Sequence, residues 1–154
     1  MNENEQHIVK DNSSSIKLAL MFRKAERIVK GRENRFLRDY NLTSMQYCVM
    51  EVLHHRGSMS VQQLIDAVYA TPGNMTVVIH NMERDGYIRR EKNPKDRRSY
   101  KITLSEAGEE LITRVIIEHV KMIGETMSIF SEEEKAEIIE SLNKFEKENP
   151  EFFG

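Results

Sequence analysis

The sequence has a single cysteine, no apolar run approaching the roughly 18 residues of a membrane span, and no glycine-rich phosphate loop. Each absence removes a class of protein. Cys48 alone forms no internal disulfide, which suits a reducing compartment. The polar stretch from Met1 to Asp11 has neither the apolar core nor the small-residue cleavage site of a secretory leader, so a cytoplasmic protein without membrane association is predicted. The seven glycines are scattered near helix ends, with no Gly-x-Gly or Gly-Lys-Ser/Thr stretch. No nucleophile with its base, carboxylate pair or ligand-spaced Cys/His cluster is legible. The chain therefore reads as a non-enzyme with no cofactor and no metal, and His54, His55, His80 and His119 as surface or capping histidines.

What is present is the balance of a folded domain. The 154 residues, 39% hydrophobic and 31% charged, suit one compact domain or a small domain fused to an extended helical module. The net charge of −2 hides a division: residues 1–104 carry 18 Lys+Arg against 12 Asp+Glu, whereas 105–154 carry 5 against 13. A basic part that can meet phosphates is followed by an acidic helical part.

The periodicity predicts a long helix over Ser13 to Asp39, with Gly31 as a mild weak point and the first dozen residues fraying. Four later helices open on their own caps: Thr43/Gln46, Ser60/Gln63, Thr71 before Pro72, and Ser131/Glu134. The third of these places Met75, Val78, Ile79 and Met82 on one face and stops at Gly86, while the last turns Ile138, Ile139, Leu142 and Phe145 inward. Tyr87 to Lys92 and Ser99 to Leu104 read as a β-hairpin joined by the basic tip 93–98. A helix from about Ser105 to Met127 follows, striped with Leu111, Val115, Val120, Ile123 and Met127.

Helix, short helix, turn, helix and hairpin in that order make a winged helix-turn-helix, a mainly α fold whose groove-entering helix is flanked by a wing. With its apolar face inward, that helix presents Asn74, Thr76, Val77, His80, Asn81 and Arg84, side chains suited to base edges, phosphates and a thymine methyl. Gly73 lets the backbone approach closely, and Thr71 with the first-turn amides forms a phosphate seat. Lys95, Arg97 and Arg98 at the hairpin tip suit the narrow minor groove, with Asp96 bracing one of the arginines. In an isolated loop these charges would be an ordinary solvated turn. The helix-hairpin context reverses that reading.

The run Leu42-Thr43-Ser44-Met45-Gln46-Tyr47 on to Leu53, then Ser60 to Leu64, Thr71 to Arg84, Asp85-Gly86-Tyr87-Ile88, Asp96-Arg97-Arg98 and Leu104-Ser105-Glu106-Ala107-Gly108 resembles the MarR family of bacterial regulators. The resemblance covers about 70 residues in register, and Ser105 stands where threonine is commoner. It implies a winged lobe at 43–104 and an intertwined dimerisation domain from the N-terminal helix, 1–42, and the C-terminal helices, 105–154. It further implies a homodimeric repressor on a palindromic duplex operator, released by a small phenolic or anionic effector. The effector pocket falls to Phe22 and Phe36 of the first helix, Met45, Cys48 and Val49 of the second, and the fifth helix, that from about Ser105 to Met127. Apolar stripes longer than the winged lobe can cover also point to a dimer. Two alternatives stay open: an oxidant-responsive repressor sensing through Cys48, which the apolar face around that thiol disfavours, and a winged-helix module used for protein contacts.

Overall fold

The computed structural model describes residues 2–93 and 96–149. In chain order the elements are α1 (Glu3–Asp11), α2 (Ser13–Arg38), α3 (Ser44–Arg56), β1 (Met59–Ser60), α4 (Val61–Ala67), α5 (Pro72–Arg84), β2 (Ile88–Asn93), β3 (Asp96–Leu104), α6 (Glu106–Met127) and α7 (Glu132–Lys147). The chain divides into two compact units, Met1–His119 and Val120–Gly154, with the boundary inside α6.

Local chemistry sets most of these boundaries. In the Thr43/Gln46 capping box the Thr43 hydroxyl accepts from the Gln46 amide at 3.2 Å, and the Gln46 side chain accepts from the Thr43 amide at 2.8 Å. Ser60 with Gln63 and Ser131 with Glu134 repeat it. Thr71 caps α5 by accepting from the Asn74 amide at 3.3 Å, and Pro72, which has no amide hydrogen to leave unpaired, takes the first helical position.

The expectation that the first dozen residues fray is corrected. Asn2 and Glu5 form a fourth capping box, both bonds at 2.8 Å, and open α1. Asparagine caps as well as serine does.

The first unit packs around a buried cluster that includes Leu37 of α2, Val49, Met50 and Leu53 of α3, Leu64 of α4, Met75, Ile79 and Met82 of α5, Ile102 of β3, and Ile112 and Val115 of α6. The sheet is antiparallel in the order β1, β3, β2. Its third strand, β1, is two residues long and pairs Met59 with Ile102 and Ser60 with Lys101. The hairpin is longer than its composition suggests. Strand β3 begins at Asp96, so residues 96–98, read from the sequence as part of the tip, belong to a strand, and Asn93 pairs with Asp96 after a register shift at Lys92/Asn93.

In the second unit Ile138, Ile139, Leu142 and Phe145 of α7 are exposed rather than turned inward. The helix is amphipathic as its sequence predicts, but its apolar face is the one turned to solvent.

Candidate nucleic-acid interface

Helix α5 is divided cleanly. Met75, Val78, Ile79 and Met82 are buried, while Thr71, Gly73, Asn74, Thr76, Val77, His80 and Arg84 are exposed and Asn81 is half-buried. The 3.6-residue period turns the second set to one side, so the groove-facing residues expected from the sequence do share a face. Thr76 spends its hydroxyl proton on the Pro72 carbonyl at 2.9 Å, which leaves the oxygen's two lone pairs and the methyl group for a ligand. Thr71 accepts from the Asn74 amide and its carbonyl accepts from the Met75 amide at 2.9 Å. Of the first-turn amides, that of Gly73 keeps no partner among the described residues. The space around Gly73 is open: a Cβ placed there would meet nothing within 4 Å.

Beside this face lie cations beyond those expected from the sequence. Arg89, Arg90 and Lys92 of β2 and Lys101 of β3 belong to the wing. Carboxylates stand close to several of the cations here: Arg90 Nε to Glu83 at 3.0 Å, Arg89 Nε to Glu91 at 2.8 Å, and Arg84 to Asp85 at 2.8 Å. These pairs are solvent-exposed and worth about 0 to 1 kcal/mol each, so a phosphate can replace the carboxylate at little cost. Asp96, Arg97 and Arg98 lie on β3, and their side chains, like all of Lys95, fall outside the described residues.

The end of α5 is held by the start of α6. Asp85 and Gly86 (φ 79°) close the helix with the Tyr87 amide on the Met82 carbonyl at 2.9 Å. Ser105 then donates its hydroxyl to the Gly86 carbonyl at 2.6 Å and its amide to the Tyr87 carbonyl at 2.9 Å, and accepts from the Gly108 amide at 3.0 Å. A Cβ on Gly108 would stand 2.1 Å from the Tyr87 oxygen, so only glycine admits this approach. The Leu104-Ser105 to Gly108 run is visible in the sequence, but its purpose, a backbone seat for the tail of α5, is not. His54 of α3 joins the same turn through Glu109 at 2.5 Å.

A polar network binds α2, α3 and α6. The Tyr47 phenol, its pKa pushed up by burial and by Glu51, keeps its proton and donates to Glu51 at 2.9 Å. His119 Nδ1 lies 3.1 Å from the same phenol oxygen, and its Nε2 lies 3.1 Å from Glu33. Phe36 packs its ring at a tilt against Tyr40 and His119, with centroids 5.1 and 5.8 Å apart. Of the residues assigned to an effector pocket, Phe36, Met45 and Cys48 pack half-buried against the core and Val49 is wholly buried. Phe22, fourteen residues before Phe36 on α2 and so about 21 Å away along the axis, is not brought to them. A concavity of about 380 Å³ in this region is lined instead by Glu26, Val29, Lys30, Glu33 and Ser44. Burial, with Glu51 and Glu33 beside it, pushes the Cys48 thiol pKa up, which holds the group in its unreactive protonated form.

The MarR family model matches residues 42–100, from the approach to α3 through most of β3. The HTH-type transcriptional regulator PecS of Dickeya dadantii is 33% identical over 111 residues, covering 70% of this chain and 67% of its own. A crystal structure of a MarR-like transcription regulator from Bacillus cereus superposes with a TM-score of 0.81 at 28% identity, covering 89% of this chain and 99% of that one. That of Staphylococcus aureus MepR in complex with DNA has the same fold at 21% identity, with a TM-score of 0.76 and coverage of 84% and 96%. With its winged helix-turn-helix built from the matched residues, the chain belongs to the MarR family of transcriptional regulators.

Proposed function

We propose that the protein is a sequence-specific repressor that binds a palindromic operator as a homodimer, with α5 in the major groove and the β2-β3 wing in the flanking minor groove. The observation that carries this reading is the division of α5: four residues are locked in the core, and the opposite face offers Asn74, Thr76, Val77 and His80 to solvent at base-reading spacing. The charge of 71–104, eight Lys+Arg against four Asp+Glu, supports it, as does the DNA complex of a relative with the same fold. A protein-contact module has no need for such a charge bias.

Dimerisation is supported within each unit separately. Ile16, Leu20, Met21 and Ile28 of α2 are exposed in the first unit, and α7 exposes its apolar face in the second. Patches of that kind are normally covered by another chain. A dyad would set the two α5 helices about 34 Å apart, one turn of duplex. Control by a small phenolic or anionic effector is part of the same proposal. The oxidant-responsive alternative is disfavoured by the raised pKa of Cys48.

Selection of duplexes from a random pool tests the reading. Recovered sequences should share two inverted half-sites, and sedimentation at micromolar concentration should give twice 18.1 kDa. Retention of no duplex, or a clean monomer that selects a single half-site, would overturn it.

A further inference from the structure

Three helix ends in the first unit close on the same hydrogen bond, an amide reaching back five residues to a carbonyl: Leu42 to Leu37 at 3.0 Å, Ala70 to Ile65 at 3.1 Å, and Tyr87 to Met82 at 2.9 Å. In each the residue before the donor has a left-handed backbone: Asn41 (φ 55°), Tyr69 (φ 51°) and Gly86 (φ 79°). Glycine has no Cβ to clash there, and asparagine is the side chain that tolerates the conformation best. Tyrosine is the exception, because its Cβ crowds the following carbonyl. Burial does not offset the strain, since Tyr69 is 74% exposed. A bulky side chain is thus held in an unfavourable backbone conformation and presented to solvent, a combination that concentrates at functional positions.

Its place in the fold identifies what it meets. Tyr69 lies two residues before Thr71, the N-cap of α5, and so beside the exposed first turn formed by Thr71, Gly73 and Asn74. It shares a concavity of about 370 Å³ with Arg56 and Gln63. Arg56 has no ion-pair partner among the described residues, whereas Asp66, on the same concavity, accepts from Gln62 at 2.8 Å. A cation, an amide and a phenol therefore converge just outside the groove-entering helix, where the sugar-phosphate backbone of a bound duplex must pass.

We propose that Tyr69 is a DNA-backbone contact, its hydroxyl donating to a phosphate oxygen at the edge of the groove that α5 enters. The contact rests on the DNA-binding reading above and adds a residue to it. It positions α5 without reading sequence, and being neutral it displaces no counterion.

The test uses the full chain with Tyr69→Gly and Tyr69→Phe, measuring melting temperature together with affinity for the selected operator and for random duplex at several salt concentrations. Tyr69→Gly should melt at or above the parent temperature yet bind both duplexes about tenfold more weakly. The salt dependence should stay parallel to that of the parent. Tyr69→Phe, which keeps the ring, should show most of the same loss. Opposite signs for stability and affinity are what a merely structural cap does not produce. Unchanged binding by Tyr69→Gly, or a loss of affinity accompanied by a lower melting temperature, would overturn the contact, and full affinity in Tyr69→Phe would overturn the hydroxyl's part in it. A parent that binds no duplex would overturn the DNA-binding reading and this contact together, an outcome distinct from a binding parent with unaffected Tyr69 variants.

Discussion

Replacing Gly108 by alanine tests how firmly the tail of α5 is seated on α6. The added methyl carbon would stand 2.1 Å from the Tyr87 oxygen, 3.0 Å from its carbonyl carbon and 3.3 Å from a Leu104 methyl. Two of those neighbours are backbone, which cannot rotate away, so α6 and the Gly86-Tyr87 segment must part by roughly 1 Å. That stretches the 2.9 Å bond from the Ser105 amide to the Tyr87 carbonyl beyond hydrogen-bonding distance. Overpacking costs about 1 to 3 kcal/mol and the lost bond about 1 kcal/mol. Against this, alanine gains at most about 1 kcal/mol over glycine within a helix. The net destabilisation is roughly 1 to 3 kcal/mol, or a fall in melting temperature of about 3 to 10 °C for a chain of this length. Thermal unfolding followed by circular dichroism, at one protomer concentration for both proteins, measures it. Because the same carbonyl follows directly on the last bond of α5, operator affinity should fall as well. A Gly108→Ala protein that melts at or above the parent temperature would show that the close approach of α6 to Tyr87 costs nothing to relieve, since helix propensity alone predicts that result.

Gly73 provides the converse case: with open space around it and no left-handed backbone, Gly73→Ala should fold as well as the parent or gain up to about 1 kcal/mol, yet bind operator more weakly because the methyl obstructs approach to a phosphate. Equal affinity would remove the close approach. Since burial raises its pKa, the native Cys48 thiol should react with iodoacetamide at neutral pH more slowly than in urea, with the rate climbing at higher pH than for an ordinary thiol, and peroxide should leave operator binding intact. Peroxide-sensitive binding in the parent but not in Cys48→Ser would establish the sensor reading instead. On the expectation that Asp96 braces a wing arginine, Asp96→Ala should weaken DNA binding mildly although it removes a negative charge. Tighter binding would sink the brace.

Helix α5 is legible in the sequence because two independent signals coincide there, the apolar period of Met75, Val78, Ile79 and Met82 and the Thr71-Pro72 opening. Capping boxes on serine and threonine are equally legible, whereas the same device on Asn2 hides in a polar stretch with no apolar stripe behind it, and α1 goes unread. The length of the wing escapes because Asp96, Arg97 and Arg98 have the composition of a turn, and it is the long-range pairing of Asp96 with Asn93 that carries β3 out to that residue. Strand β1 is two residues long, too short for a period-two pattern to register. The Tyr47, His119 and Glu33 network joins residues up to 86 apart, a proximity no local pattern encodes. Tyr69 leaves no trace at all, since a left-handed position is read from glycine or asparagine and neither stands there.

Whether the α5 face and the wing meet duplex DNA is read from the salt dependence of binding. Affinity for the selected operator, measured by fluorescence anisotropy from low to high salt, should fall linearly on logarithmic axes for the parent. For Arg98→Ala the line should be lower and shallower, by about 0.9 in slope for one lost phosphate contact. For Asn74→Ala it should be lower but parallel, with random-duplex affinity nearly unchanged. An affinity that ignores salt would rule out phosphate contacts, and an Arg98→Ala line that coincides with that of the parent would take the wing off the DNA.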